Sequence, residues 1–208
     1  MTGRSEVLPT RARILDAAVC RFGRVSYSAA SMEEIAGDVG ISKPAIYHHF
    51  RGKDDILAAL LDTLLELAER QFTKLRDLDV PFPTLLERLI EQRLSMAKAR
   101  PDWVRFMQRI DLNLGDVPVL ENLRRRGAML QRLEEELFAA RLRDFSLREG
   151  ITMAQFVQFS HDAVFAFIAR TMRDGGGGIG DPAVEARRLC SMILFGVCGS
   201  SRPSVTQP

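Results

Sequence analysis

Apolar residues recur at intervals of three and four positions along most of the chain, with polar residues between them. This spacing places the apolar side chains on one face of an α-helix, so the pattern predicts helices throughout. The predicted helices span approximately residues 10–23, 32–39, 43–50, 53–76, 84–98, 102–112, 119–143, 152–172 and 182–197. We therefore expect an all-α fold of about nine helices.

Two of the short predicted helices meet at a tight turn. Ser31 and Glu34 have the spacing of a capping box at the start of the first of them. Gly40 ends that helix, because glycine adopts the left-handed conformation without a clash of its Cβ. Ser42 caps the second helix, and Pro44 lies in its first turn, where a missing amide hydrogen costs nothing. The segment therefore predicts a helix-turn-helix.

Acidic residues are absent from one stretch of this helix-turn-helix region. Residues 41–53 contain three cations and two histidines but no carboxylate, although the preceding helix holds three carboxylates. A short helix that enters a DNA major groove needs cations and hydroxyls for phosphates and short side chains for base edges. We therefore expect Lys43, Pro44 and Ala45 to face base edges. The alternative for Lys43 is an ordinary solvated charge.

Many positions in roughly the first 60 residues match one known arrangement in register. They are Arg13-Ile14-Leu15-Asp16-Ala17-Ala18, Phe22, Tyr27, Ser31-Met32, Ile35-Ala36, Gly40-Ile41-Ser42, Ile46-Tyr47-His48-His49-Phe50 and Gly52-Lys53. This stretch resembles the N-terminal domain of TetR-family transcription regulators. One departure is Ser26, which stands where the family usually has glycine. A non-glycine residue there either tolerates positive φ at some cost or implies a different cap.

The resemblance implies a DNA-binding domain followed by the family's divergent helical ligand domain. It also implies that Tyr47 contacts a DNA phosphate, the alternative being an ordinary core aromatic. Lys53, at the start of a predicted helix, is expected to bind phosphate together with the free amides. The full set of expected DNA-binding residues is Ser31, Ser42, Lys43, Pro44, Ala45, Tyr47, His48, His49 and Lys53.

The long predicted helix at residues 53–76 connects this region to the rest of the chain. We expect a helix-turn-helix DNA-binding domain over residues 1–53, which starts with a short flexible arm. An effector-binding and dimerisation domain is expected over residues 54–198, and a disordered tail over residues 199–208. One rigid helix that begins beside the DNA motif and ends in the second domain would act as a lever between them.

The last two predicted helices lack a polar face. The helix at 152–172 is apolar nearly all round, and the helix at 182–197 is rich in large apolar residues. A helix without a polar face has to be covered on both sides. A second copy of the chain would provide that cover, so we expect a homodimer with a four-helix interface.

Composition and the distribution of apolar residues argue against a secreted or a membrane protein. The chain of 208 residues is 46% hydrophobic and 27% charged, with a net charge of +2, which is ordinary for a soluble protein. The sequence shows no export leader and no run of about 18 apolar residues of the kind that spans a membrane. We therefore expect a cytoplasmic protein without membrane contact. Its three cysteines are expected to be reduced and buried.

Candidate ligand-binding residues lie in the second half of the chain. His161, on an apolar predicted helix, is either a satisfied core residue or a polar anchor in a ligand pocket. Arg93 falls in the apolar stripe of its predicted helix, whereas Glu134 is assigned to a charged outer face. The expected effector-binding residues are Trp103, Phe106, Met107, His161 and Phe165, for each of which a plain core position is the alternative. This largely apolar set suggests a hydrophobic or amphipathic effector.

Catalytic signatures are missing from the sequence. It contains no paired nucleophile and base, no metal-ligand spacing and no phosphate-binding loop. We therefore expect no enzymatic activity, no metal and no cofactor.

These observations predict a dimeric DNA-binding protein. The resemblance implies that it is a transcription regulator, a repressor, that binds an inverted-repeat DNA operator and is released from it by a small-molecule effector. Two other classes remain open: a helical small-molecule-binding protein or enzyme without DNA binding, and a helical adaptor that binds another protein. The first of these would not explain the carboxylate-free surface at residues 41–53.

Overall fold

The computed structural model describes residues 8–109, 118–142, 145–173 and 178–200. Helices dominate these segments, as the periodicity predicts. The helices are α1 (Thr10–Val25), α2 (Met32–Val39), α3 (Lys43–His49), α4 (Lys53–Arg76), α5 (Phe82–Ala99), α6 (Pro101–Arg109), α7 (Pro118–Arg141), α8 (Met153–Arg173) and α9 (Pro182–Val197). The expected all-α architecture is confirmed. No helix in the described segments is long and apolar enough to cross a membrane.

Two short strands accompany the helices. β1 (Phe145–Leu147) and β2 (Cys198–Ser200) pair antiparallel, with Ser146 opposite Gly199. Residues 199 and 200, which we assigned to a disordered tail, therefore lie in a strand. Three residues are too few to show the alternating pattern of a strand, so periodicity could not reveal this one. The remainder of the expected tail, residues 201–208, lies outside the described segments.

The chain divides into two compact units. The first comprises Met1–Glu66 and Pro101–Arg124, and the second comprises Leu67–Arg100 and Arg125–Pro208. The division differs from the expected boundary at residue 53, because the first half of α4 and all of α6 belong to the first unit.

The core of the first unit is built around α1. Phe22 is 1% exposed, and its ring packs against those of Tyr27 and Phe106 at centroid distances of 5.2 and 6.1 Å. Gly23 allows α6 to approach closely, because a Cβ added there would lie 3.2 Å from the Phe106 backbone nitrogen. The burial of Ile46 on α3 joins the helix-turn-helix to this core.

The core of the second unit contains three phenylalanine rings from different helices. Phe82 of α5 contacts Phe138 of α7 and Phe156 of α8, with centroid distances of 5.2 and 5.8 Å. All three side chains are at most 1% exposed. Their burial fixes α5, α7 and α8 around one centre.

The expectation of buried thiols holds for one cysteine and fails for another. Cys190 is buried in α9, whereas Cys20 is exposed on α1 and lies near Asp102. Cys20 follows Val19 on α1, so it has turned away from the buried stripe that contains Ala18, Val19 and Phe22. The side chain of Cys198 lies outside the described part of the chain.

The turn after α1 carries a strained serine. Ser26 has φ 79° and ψ 162°, and its N–H donates to the carbonyl oxygen of Phe22 at 3.1 Å. This backbone region is almost exclusive to glycine and costs roughly 1–3 kcal/mol for other residues. The structure therefore shows that Ser26 adopts positive φ, which is the first of the two possibilities that the sequence left open.

We expect Ser26→Gly to stabilise the protein. Relief of the strain exceeds the roughly 0.5–1 kcal/mol that glycine loses through unfolded-state entropy, so the free energy of unfolding should rise by about 1 kcal/mol. Urea denaturation followed by circular dichroism measures the change. Ser28→Gly is the matched control, because Ser28 does not have positive φ and its replacement should lower stability. Equal effects of the two changes would contradict the strain at Ser26.

Candidate DNA-binding surface and ligand cavity

A capping box fixes the start of α2. The Ser31 N–H donates to Glu34 Oε2 at 2.9 Å, and the Glu34 N–H donates to Ser31 Oγ at 3.2 Å. Arg21 of α1 pairs with Glu34 and, at 2.6 Å, with Asp38. These contacts tie α2 to α1. Ser31, expected to bind DNA, therefore already uses its side chain within the motif.

The turn between α2 and α3 has the geometry that the sequence predicts. Gly40 adopts φ 73°, and its N–H donates to a carbonyl oxygen of α2. Ser42 Oγ accepts a hydrogen bond from the Ala45 N–H at 3.4 Å, and Pro44 lies in the first turn of α3. The helix therefore begins at a defined position and direction.

One face of α3 is buried and the opposite face is open. Ile46 is completely buried, and Phe50, which ends the helix, is 4% exposed. Tyr47 is 43% exposed, although its neighbour Ile46 is not accessible. The expected DNA-binding residues Ser42, Lys43, Pro44, His48 and His49 are exposed, and Ala45 is half-buried. The structure thus brings this set together on one short helix.

Lys43 is not an isolated charge on this surface. Its ammonium group pairs with Glu33 of α2. The hydrogen bond from Lys43 lowers the pKa of Glu33, and the same contact raises the pKa of Lys43. Both side chains remain at least half exposed, so solvent and salt screen the pair. The ammonium group is accessible and can exchange its partner for another acceptor.

Lys53 has structural partners in the first unit. Its ammonium group donates to the carbonyl oxygens of Tyr27 and Ser28 at 3.1 and 3.3 Å, and it lies 4.9 Å from the centre of the Tyr27 ring. The Tyr27 hydroxyl donates to Asp54. Burial and the Asp54 carboxylate raise the pKa of Tyr27. Lys53 therefore holds the turn after α1, and its expected phosphate contact would require these bonds to rearrange.

A cavity of about 290 Å³ lies within the second unit. Helices α4, α5, α7 and α8 line it, and most of its wall is apolar, with Phe72, Leu75, Leu89 and Leu130 as its largest apolar side chains. A second depression of about 400 Å³ shares Phe72 and Leu130 with it. The first cavity is near the lower end of the roughly 300–1,000 Å³ range of small-molecule sites.

Three charged or titratable side chains meet at this cavity. Arg93 Nη2 lies 3.3 Å from Glu134 Oε2 and 2.8 Å from His161 Nε2. His161 Nε2 lies 2.8 Å from the same Glu134 oxygen. Burial raises the pKa of Glu134, but the His161 hydrogen bond and the Arg93 charge outweigh it, so the net shift is downward. Glu134 is therefore ionised at neutral pH.

Comparison with known proteins supports the resemblance in the first unit. Residues 14–60 match the family described as bacterial regulatory proteins, tetR family. The regulator SrpR of Pseudomonas putida, named as an HTH-type transcriptional regulator, is 38% identical over 69 residues. That alignment covers 33% of this chain and 32% of SrpR. The chain therefore spans about a third of the length of this curated relative.

Solved structures match the chain over most of its length. A structure titled as the ketosteroid transcriptional regulator KstR2 of Mycobacterium tuberculosis gives a TM-score of 0.78 over 94% of this chain and 98% of its own, at 18% identity. A TetR-family regulator from Bordetella parapertussis 12822 gives 0.75 over 90% and 95%, also at 18% identity. The chain thus shares its fold with solved TetR-family regulators, and its residues 14–60 match the model of that family. At these identities the two structures show the shared fold alone.

The match to the TetR family over residues 14–60 agrees with the expectation of a transcription regulator. The family match ends at residue 60, so it says nothing about the cavity of the second unit.

The five expected effector-binding residues do not come together. Phe106 is completely buried in the core of the first unit, and Trp103 and Met107 pack against the same core. Phe165 is 48% exposed on α8. His161 lines the cavity. The short stripe on α6 thus belongs to the core of the first unit, because α6 packs on α1 at Gly23.

Of the residues that line the cavity, the expected effector-binding set contained only His161, and it missed both members of the ion pair, Arg93 and Glu134. Glu134, assigned to an outer face, is 6% exposed. The presence of Arg93 in an otherwise apolar stripe was the available signal, because a cation on an inward face needs a partner of opposite charge. A search for an acidic residue on another helix would have identified Glu134 as a candidate.

We expect Glu134→Gln to destabilise the protein in a pH-dependent way. The pKa of Glu134 is lowered below its usual value of 4.5, so ionisation contributes stability above that pH, and this contribution is lost as the pH falls through the lowered pKa. At pH 7 the variant should lose about 2 kcal/mol, less than for a fully buried pair because Arg93 is partly exposed.

Urea denaturation of both proteins at pH 7 and at about pH 4 measures this dependence. The difference between wild type and variant should shrink at the lower pH. Glu136→Gln, an exposed position on the same helix, is the control and should change stability by less than about 0.5 kcal/mol. A difference that stays constant with pH would show that the pKa of Glu134 is not lowered in the folded protein.

Proposed function

We propose that this chain is a ligand-responsive DNA-binding transcriptional regulator, a repressor, that binds an inverted-repeat operator as a homodimer. The observation that carries the proposal is the exposed face of α3, presented at a fixed angle by Gly40 and Ser42 and free of carboxylates from residue 41 to residue 53. A helix of this length fits the major groove, with its N-terminal residues near base edges. Phosphate contacts from Tyr47 and the neighbouring cations would set its position.

The homodimer is supported by apolar side chains that one copy leaves exposed. Met192 and Phe195 lie three residues apart on α9 and are 70% and 79% exposed. Phe159 and Phe165 on α8 are each 48% exposed. Large apolar side chains left exposed on two helices in this way are typical of an interaction site. A two-fold axis would place each surface against its own copy and cover both.

Ligand response would be transmitted through α4. This helix runs without interruption from Lys53, beside the DNA-facing surface, to Arg76, and Phe72 and Leu75 line the cavity of the second unit. A small apolar or amphipathic effector that fits the cavity better in one conformation would shift the population toward it. If α4 swings in that conformation, the two recognition helices no longer match successive major grooves, roughly 34–36 Å apart.

We expect Lys43→Ala and Tyr47→Ala to affect DNA binding in different ways. Loss of a phosphate contact at Tyr47 should weaken binding evenly across sequences, whereas loss of Lys43 should change the preferred base at one position by about tenfold. Selection of duplexes from a randomised DNA pool at physiological salt, with wild type and both variants in parallel, measures these effects. Wild type should enrich an inverted repeat.

Two results of this selection would count against the proposal. Identical preferences of wild type and Lys43→Ala would remove Lys43 from base recognition. Failure of wild type to enrich any sequence, even at low salt where phosphate contacts are strongest, would contradict DNA binding itself.

We expect Phe195→Glu to disrupt the homodimer while leaving each subunit folded. Phe195 is 79% exposed in one copy, so the change removes few contacts within the subunit but places two carboxylates at a two-fold interface. Analytical ultracentrifugation should show a shift from dimer to monomer, and affinity for an inverted repeat should fall at least about tenfold because half of the contacts are lost.

Met129→Glu is the matched control for the dimer experiment. Met129 is 62% exposed on α7, away from α8 and α9 in sequence, and the change introduces the same charge. The control should remain dimeric. A Phe195→Glu protein that also stays dimeric would show that the exposed face of α9 does not form the interface.

A further inference from the structure

Arg93 carries a donor that the described part of the protein does not satisfy. Its Nη1 is buried and has no hydrogen-bond acceptor among the described residues. The other terminal nitrogen, Nη2, is directed at Glu134 and His161. A buried guanidinium nitrogen without an acceptor is costly, because its desolvation is not compensated. Arg93 lines the cavity, and because Nη1 itself has almost no accessible surface in this conformation, a small rotation of the side chain would bring this nitrogen to an acceptor placed there.

The contacts of His161 point to the same shortage of acceptors. His161 Nε2 lies 2.8 Å from both Arg93 Nη2 and Glu134 Oε2. With a proton, Nε2 can donate to Glu134 but then opposes a donor of Arg93. Without a proton, it can accept from Arg93 but then opposes a carboxylate oxygen. Neither form of His161 satisfies both contacts. If Arg93 had another acceptor, its guanidinium would no longer depend on His161. His161 protonated at Nε2 could then pair with Glu134 alone.

The charge of the cluster constrains the ligand. Arg93 is positive and Glu134 is negative, and the two are paired. A second carboxylate in the cavity would lie close to Glu134 and add an unbalanced buried charge, which is unfavourable. An amine would oppose the donors of Arg93. An uncharged acceptor, such as a carbonyl oxygen, satisfies Nη1 without changing the charge balance.

The remaining wall favours an apolar body on the ligand. Phe72, Leu89 and Leu130 line the cavity. Gly127 also lines it, in the interior of α7, and a Cβ added to Gly127 would meet no atom within 4 Å. Glycine weakens a helix interior, so this position sacrifices helix stability and leaves space beside the apolar wall.

We propose that the cavity binds an uncharged, predominantly apolar small molecule whose carbonyl-type oxygen accepts a hydrogen bond from Arg93 Nη1. This inference rests on the proposed function only for the role of the molecule as an effector. Binding itself depends on the cavity, Arg93 and the pair formed by Glu134 and His161.

The test uses three nine-carbon probes that differ in their polar group: 2-nonanone, 2-aminononane and nonanoate. Isothermal titration calorimetry with the full-length protein at pH 7 measures their affinities. Wild type should bind the ketone at least about tenfold more tightly than the amine, because only the ketone can accept from Arg93. It should also bind the ketone more tightly than nonanoate.

Two variants test the site within the chain. Arg93→Lys keeps a cation for Glu134 but lacks the second guanidinium branch, so ketone affinity should fall about tenfold. Arg188→Lys makes the same change at an exposed ion pair and should leave affinity unchanged. Gly127→Leu should fill the cavity and abolish ketone binding, while the melting temperature stays the same or rises because leucine is a better helix former.

Several outcomes would overturn the inference. Absence of ketone binding by wild type, or equal binding of ketone and amine, would reject the acceptor preference. Tighter binding of nonanoate would reject an uncharged ligand. Unchanged ketone affinity in Arg93→Lys would reject the role of Arg93, and unchanged affinity in folded Gly127→Leu would reject this cavity as the location.

The same samples separate this inference from the proposed function. Duplex selection in the absence of any probe tests DNA binding alone. Ketone binding by a protein that enriches no DNA would overturn the regulator and leave the ligand site standing. Sequence-specific DNA binding by a protein that binds no ketone would overturn the ligand site and leave the regulator standing.

Discussion

The DNA-facing surface depends on a helix that cannot form alone. Helix α3 has seven residues, whereas isolated helices in water need about 12–15 to become even marginally stable. Burial of Ile46 and Phe50 in the first unit holds it in place, and the positive φ of Gly40 sets the direction in which the chain leaves α2. Side chains opposite the buried face have to remain exposed. The packing that folds α3 therefore also creates the surface that would meet DNA.

Two ion pairs in this protein differ in their exposure to solvent. The pair between Lys43 and Glu33 is exposed, so water and salt compete with it and a phosphate or base can replace the carboxylate. Arg93 and Glu134 meet at a cavity, where Glu134 is almost completely buried and its loss would leave an unpaired cation. The exposed pair suits a contact that exchanges partners. The buried pair suits a fixed site whose remaining donor defines what can bind beside it.

The sequence predicted most of the secondary structure and part of the candidate sites. Helical periodicity located the helices, and the capping residues Ser31 and Ser42 located the starts of α2 and α3, because capping involves residues three positions apart. The ligand residues were harder to predict. Periodicity showed that the apolar face of α6 is inward, but it could not show that Phe106 packs against Phe22 and not in the cavity. Periodicity identifies a buried face and does not identify its partner.

By itself, the sequence determined the helices, the turn at Gly40 and the carboxylate-free stretch from residue 41 to residue 53. Each of these depends on residues close together in the chain. Tertiary structure alone decided that Arg93 meets Glu134, 41 positions away, and His161, 68 positions away. Such contacts depend on how α5, α7 and α8 pack around their shared phenylalanine core. The physical reason is that local backbone preferences act within a few residues, whereas the burial of Glu134 is a property of the helices that surround it.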